Sequence, residues 1–261
     1  MTDTKQAVTQ FERDGFCLVP PAIPLALVER AVTHMDAVIA GRYETGVPPM
    51  PYGTPGKDPT QLIKIDQSHV SDRTVYELAT HPAIGRWAAA VTGAKWVQLW
   101  ATQLLFKPPG GNAKGNIGWH QDYQYWSPWW TPESEIFTCW VALVEVTPTM
   151  GPMLFARGSN HWGFLNEGDF FSVAIDSQRE AILKKSGYQW DEVPAVMAAG
   201  ALSFHHRHTY HGSGPNLSAQ PRRSFAFHLR TEKSAPLPGV DHYYVSHLDD
   251  PQLCPVIYQA D

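Results

Sequence analysis

The chain has 261 residues, enough for one large domain with a sizeable core or at most two small ones. Hydrophobic residues make up 43% and charged residues 17%, an ordinary globular composition that excludes disorder as the default. A formal charge of −5 with no Lys/Arg block argues against a nucleic-acid partner. Cys17, Cys139 and Cys254 are odd in number and far apart, without a Cys-x-x-Cys, so they read as thiols of a reducing compartment rather than a disulfide framework. No apolar h-region opens the sequence and no apolar run reaches the ~18 residues of a membrane span. The expectation is a soluble, cytoplasmic protein with no membrane partner.

In chain order, residues 4–14 predict a short helix leading into a strand at Phe16–Val19, which Pro20 and Pro21 stop. From Pro24, the residues Leu27, Val28, Ala31, Val32, Met35, Val38 and Ile39 mark one helical face ending near Gly41. Residues 42–60 are rich in Pro and Gly and read as a loop, either a lid over a site or plain surface. Val75, Leu78 and Ala79 predict another helix; Pro82 restarts it with Ile84, Trp87, Ala88 and Val91, and Gly93 is its C-cap. Then the character changes. Residues 96–107, 135–146, 151–156, 200–208 and 222–230 are β-branched and aromatic, separated by turn signals. The 22 prolines and ten tryptophans fit many turns and aromatic-lined surfaces better than a helical bundle. The expectation is one domain over 1–261: a helical N-terminal layer (about 1–94), a β core (about 95–231), and a Pro-rich segment 232–261 wrapping the outside. The fold class is α+β, mainly β, with a double-stranded β-helix (a cupin-like jelly roll) and the N-terminal helices packed on one sheet.

The chemistry centres on residues 119–126, Trp-His-Gln-Asp-Tyr-Gln-Tyr-Trp. His120 and Asp122 sit two apart, so on an extended segment their side chains leave the same face. An imidazole and a carboxylate there supply two ligands of a facial metal triad, whose open positions suit non-heme Fe(II) oxygen chemistry. A His-x-Asp pair alone is common and reads equally as a hydrogen-bonded surface pair. The stretch His211-Gly-Ser-Gly-Pro-Asn216, followed by Arg222 and Arg223, offers the third ligand. His206 and His208 share one strand face and His205 points the other way; all three read as structural or as neighbours of the ligands.

The ordered blocks Gln103-Leu-Leu-Phe-Lys107-Pro-Pro-Gly, Trp119-His-Gln-Asp122, Gly151-Pro-Met, Gly158-Ser-Asn-His161, His211 to Asn216 and Pro221-Arg222-Arg223 resemble the phytanoyl-CoA dioxygenase-like family, over about residues 8–231. The resemblance implies Fe(II) on His120, Asp122 and His211, chelated by 2-oxoglutarate as co-substrate, with one position left for O2. It implies oxidative decarboxylation of 2-oxoglutarate to succinate and CO2, coupled to hydroxylation of an unactivated C–H of a small-molecule metabolite. Desaturation, epoxidation and ring rearrangement stay open, because they use the same chemistry. Halogenating members carry a small residue where this chain has Asp122, so a halide site is not expected. Two rival classes, a zinc hydrolase and a non-enzymatic metal-binding protein, are weakened by the lack of a general base and by an inward arginine, respectively.

A buried co-substrate carboxylate needs a cation, and a planar guanidinium suits it. Arg222 matches the family's position for this role, and Ser213 can add a hydroxyl. Alternation supports the choice: Arg222, Ser224, Ala226 and His228 form a small, polar face, whereas Arg223, Phe225, Phe227 and Leu229 form a large apolar one suited to packing beneath helices, with the Arg223 head in water. Val97, Leu99, Ala101, Gln103, Leu105 and Lys107 fall on one face by the same rule, placing Gln103 and Lys107 toward the co-substrate, with a solvated strand end as the alternative for Lys107. Trp140 matches a family position beside the co-substrate, and Trp126 leans the same way. Tyr123, Tyr125, Trp129 and Trp130 are read as substrate wall, with core packing the alternative, and Arg157 with His161 as loop residues near the mouth. The aromatic segment, and the lack of a basic patch for a nucleotide handle, predict a free metabolite of apolar or ring character rather than a coenzyme A thioester.

Overall fold

The apolar stripes of the first hundred residues fold into helices that cover one face of a sheet. The computed structural model describes residues 4–50, 58 and 60–260. In chain order it contains α1 (Thr4–Asp14), β1 (Phe16–Val19), α2 (Leu25–Ile39), β2 (Ile63–Asp66), α3 (Arg73–Ala79), α4 (Pro82–Thr92), β3 (Trp96–Lys107), β4 (Ile117–His120), α5 (Tyr123–Trp126), β5 (Ile136–Ala142), β6 (Leu154–Ala156), α6 (Ile175–Ser186), β7 (Glu192–Pro194), β8 (Leu202–His206), β9 (His211–Ser213), β10 (Arg222–Thr231), α7 (Tyr243–Ser246) and β11 (Val256–Gln259). Local chemistry sets several boundaries. The Asp72 carboxylate accepts from the Thr74 and Val75 N–H groups at the start of α3, and Gly93 closes α4 at φ 67°.

Among the described residues the strands form two antiparallel sheets, ordered β1-β8-β5-β10-β3-β11, with β2 also on β3, and β4-β9-β6-β7. This is a double-stranded β-helix with the N-terminal helices packed on its larger sheet. Strand β10 fixes the layering. Phe225, Phe227 and Leu229 are fully buried in a core with Val28, Met35, Leu78 and Ile84 of the helices, each worth roughly 2 kcal/mol in apolar burial. On its other face, Arg222, Ala226 and His228 look into the barrel and line its cavity. Between the sheets, Phe16 of β1 stacks on Phe155 of β6 with ring centroids 4.3 Å apart.

Three features depart from the sequence reading. First, β3 does not alternate without interruption. It pairs with β10 from Lys107 opposite Arg222 to Ala101 opposite His228, but the next pair is Leu99 with Leu229, so Trp100 is an extra residue and forms a β-bulge. Val97 and Leu99 therefore face the helices while Ala101, Gln103 and Leu105 face the cavity. Second, residues 232–261 do not simply wrap the outside. Strand β11 pairs with the start of β3 while β2 pairs with its other half, and His242 and Tyr244 reach the cavity. His69 ties these pieces together, bonding Thr102 Oγ1 at 3.0 Å and the Leu253 carbonyl at 2.9 Å. Third, α6 and β7 have no counterpart in the strand and helix signals of the sequence; Gln178 of α6 accepts the Trp119 N–H at 2.9 Å. Residues 51–57 and 59, which hold much of the loop read as either a lid or plain surface, lie outside the described residues.

Candidate metal centre

Strands β4 and β9 pair so that His120 stands directly opposite His211, with ring centroids 4.1 Å apart. Asp122 is not on the strand: at φ −54° and ψ −38° it starts the helical turn α5. A helical turn rather than extended alternation therefore brings its carboxylate back to the histidines. Oδ1 lies 3.7 Å from His120 Nε2 and 3.6 Å from His211 Nε2, and the three potential ligand atoms all fall within 4.8 Å of one another.

The hydrogen bonds around the triad set its protonation. His120 Nδ1–H donates to the Gly118 carbonyl at 2.8 Å and His211 Nδ1–H to the Thr209 carbonyl at 3.0 Å, leaving both Nε2 lone pairs pointing toward Asp122. Asp122 Oδ2 accepts from Thr138 Oγ1 at 2.7 Å and His205 Nε2 at 3.2 Å, leaving Oδ1 for a metal. Burial by itself would raise the Asp122 carboxyl, but the facing His211 and the neighbouring His120 and His205 hold it well below the usual range. Burial holds His211 well below an ordinary imidazole, so it is neutral. Two imidazoles whose Nδ1 atoms are tied to backbone carbonyls and one oriented carboxylate, with their outer atoms already committed, fit an Fe(II) site of the facial type. A second group of possible ligands, His34, Glu44 and Asp72, is occupied otherwise: Asp72 caps α3 and Glu44 pairs with Arg73.

The triad opens into a cavity of about 450 Å³. Also lining it is Arg222, buried at 1% exposure and without an ion pair among the described residues. Its Nη1 donates to the Gly151 carbonyl and to Ser213 Oγ (3.0 Å), and its guanidinium lies over the Trp140 ring at 5.5 Å. Burial pulls this arginine down to about 9, which still leaves it charged near neutrality. An isolated buried cation is costly, so this end of the cavity is built for an anion. Gly151 serves the same corner: at φ 60° it sits where a Cβ would lie 2.6 Å from the Gly214 carbonyl. Ser213, Gln103, Trp126 and Trp140 line the cavity as well.

Lys107 does not. It is fully buried, ruling out a solvated strand end, and its Nζ donates to the Ser213 and Gly214 carbonyls, so it fastens the turn after His211 instead of aiming at a co-substrate. Burial, with Arg222 nearby, lowers it well below an ordinary lysine. Tyr125 and Trp129 line the cavity, the first 5.9 Å from the His120 ring and the second stacked on His242 at 4.1 Å. Tyr123 turns away beneath Arg207, and Trp130 is fully buried behind Trp100. Arg157 pairs with Asp14 and Asp191 away from the cavity, and His161 bonds the Arg13 carbonyl. Arg223 is not simply solvated but pairs with Asp36 of α2 at 2.9 Å.

Several lining residues carried no signal in the sequence. Lys64 and Asp66 on β2 and Phe170 before α6 lie in stretches to which the sequence assigned no element, and His242 and Tyr244 lie in the segment read as an outer wrap. His228 was readable in part, since alternation places it on the face of Arg222, whereas His205 was read only as pointing away from His206 and His208.

Comparison with known proteins agrees with this geometry. The family model for phytanoyl-CoA dioxygenase matches residues 11–224. A "Probable alpha-ketoglutarate-dependent hypophosphite dioxygenase" of Stutzerimonas stutzeri is 29% identical over 154 residues, 56% of this chain and 50% of that protein, so the match spans half of that relative's length. Ectoine dioxygenase of Bordetella bronchiseptica is 26% identical over 233 residues, 82% of this chain and 71% of the relative. Among solved structures, the non-heme alpha ketoglutarate-dependent epimerase SnoN from nogalamycin biosynthesis shares the fold at a TM-score of 0.65 and 21% identity, covering 92% of this chain and 91% of that one. The chain belongs to the phytanoyl-CoA dioxygenase family of Fe(II)- and 2-oxoglutarate-dependent dioxygenases.

Proposed function

We propose that the chain folds as one domain and hydroxylates an unactivated C–H of a small, ring-containing free metabolite in the cytoplasm, consuming 2-oxoglutarate and O2 and releasing succinate and CO2. The observation that carries this reading is a single cavity with a His, His, carboxylate set within 4.8 Å at one place and an isolated buried guanidinium at another. Bound Fe(II) with 2-oxoglutarate supplies the activation of O2.

The protein's own groups do the rest. His120, Asp122 and His211 hold the metal, and Thr138 and His205 keep Asp122 ionised and oriented. Arg222, braced by Ser213 and Gly151, takes the distal carboxylate of 2-oxoglutarate, while Trp140 beneath it keeps water from the pair. Tyr125, Trp126 and Trp129 form the wall against which the substrate lies. Lys64 is paired with Asp66 at 2.7 Å, which leaves no free cation on that wall for a nucleotide handle among the described residues. The free, buried Cys17, Cys139 and Cys254 suit a reducing compartment.

The test is 2-oxoglutarate depletion across a metabolite panel, with product mass recorded. A ring-bearing free metabolite that accelerates Fe(II)-dependent succinate formation and gains one oxygen atom is the expected result. Selective turnover of an acyl-CoA over its free acid, or full activity with zinc and no 2-oxoglutarate, contradicts it.

A further inference from the structure

Among the described residues, four side chains that line the cavity keep a buried polar atom without a partner, Trp100, His205, Arg222 and His228, and of these the acceptor set in the aromatic wall is His228. His228 projects from β10 into the cavity, its ring held between Trp126 (centroids 4.9 Å apart) and Trp100 (5.4 Å). Its Nδ1 lies 3.0 Å from Thr138 Oγ1. The one proton of that hydroxyl goes to the Asp122 carboxylate at 2.7 Å. Thr138 must therefore accept from His228, which places the imidazole proton on Nδ1 and leaves Nε2 as a bare lone pair. Among the described residues Nε2 has no partner, and the side chain is only 4% exposed. Burial holds the imidazole at about 4, so it is neutral. An unsatisfied acceptor at such a place is rare unless a ligand completes it.

We propose that His228 is the substrate-anchoring acceptor: its Nε2 takes a hydrogen bond from an O–H or N–H of a ring substrate that lies against Trp100, Trp126 and Trp129. This rests on reading the cavity as an oxygenase site, and it adds the substrate's class, an uncharged ring bearing a hydroxyl or N–H donor. The donor is uncharged because the other charged groups on the wall, Lys64 and Asp66, already neutralise each other. The anchor stands two hydrogen bonds from the Asp122 carboxylate, so the bound ring lies beside the metal position. Sites built to satisfy a substrate hydroxyl or N–H discriminate strongly against analogues that lack it, because the site's own polar atom is then left unpaired.

The test uses paired ring probes that differ only in the donor, phenol with anisole and indole with 1-methylindole, titrated into the full chain by ligand-observed NMR. The wild-type protein should bind each donor probe roughly three- to tenfold more tightly than its methylated twin. In His228→Phe the twins should bind equally, while His228→Gln, which keeps an acceptor, should retain part of the preference. Equal binding of the twins to wild type, or a preference that survives in His228→Phe, overturns the proposal. The titrations are run without metal and again with Mn(II), whose relaxation of the bound probe reports the triad separately. If Mn(II) has no effect while the donor preference holds, the metal-centre reading fails and the His228 assignment stands. If Mn(II) relaxes bound probes but the twins bind alike, the assignment of His228 fails and the oxygenase reading stands.

Discussion

Thr138 is the residue on which the most depends for its size. Its hydroxyl donates to Asp122 and accepts from His228, so one oxygen orients a metal ligand and fixes a tautomer in the substrate wall. Thr138→Val keeps the shape and removes both bonds. We expect metal affinity to fall about 10- to 100-fold, as for loss of a group that orients a ligand, with the melting temperature close to wild type; Co(II) titration followed by absorbance measures it. Unchanged affinity would show that Asp122 does not depend on Thr138 for its orientation. At this scale the sequence was a good guide to identity and a poor one to geometry. The spacing of His120 and Asp122 singled them out, but the extended alternation that linked them is absent, because Asp122 already lies in a helical turn. Thr138 had no motif at all; its role comes from the β5–β10 register that sets it opposite His228.

At the scale of the element, β10 carries both layers of the protein on its two faces. Register makes Arg222 an inward, buried group and Arg223 an outward one paired with Asp36 of α2. Arg222→Ala should cost roughly 2–5 kcal/mol of 2-oxoglutarate affinity, the range for a buried charge pair that loses one partner. Arg223→Ala should leave that affinity nearly unchanged and lower stability by at most about 1 kcal/mol, since Asp36 is well exposed. Calorimetric titration of 2-oxoglutarate into both variants measures the difference; a larger loss in Arg223→Ala would show that the register is not what positions the co-substrate. The alternation of β10 was legible because one face is phenylalanine and leucine and the other small and polar. That of β3 was not, since the bulge at Trp100 shifts the phase without leaving a mark in the residue types.

The whole molecule is closed by long-range contacts that no local pattern announces. Strand β11 and β2 share one edge of β3, and His69 spans from Thr102 to Leu253 to hold them. Burial lowers His69 to about 4, only partly offset by the bond to the Leu253 carbonyl, and burial with neighbouring His208 and Arg207 lowers His206 to about 3. A histidine whose folded value lies below its unfolded value near 6.5 binds fewer protons when folded, so stability falls as pH drops below about 6.5. For His69 the loss should reach about 3 kcal/mol by about pH 4. Urea denaturation between pH 7 and 4 should show this decline, and His69→Asn should make it shallower, leaving the part due to His206; a pH-independent midpoint in the wild type would contradict the account. The layered fold and the ligand types could be read from the chain, whereas its closure, in which His69 bonds residues 33 and 184 positions away, could not. The central claim is that His120, Asp122 and His211 form the centre at which 2-oxoglutarate is consumed, and its most direct measurement is succinate formed from 2-oxoglutarate in air by wild type and Asp122→Ala. We predict Fe(II)-dependent succinate formation in the wild type and none above background in a folded Asp122→Ala; equal rates in the two would contradict the account.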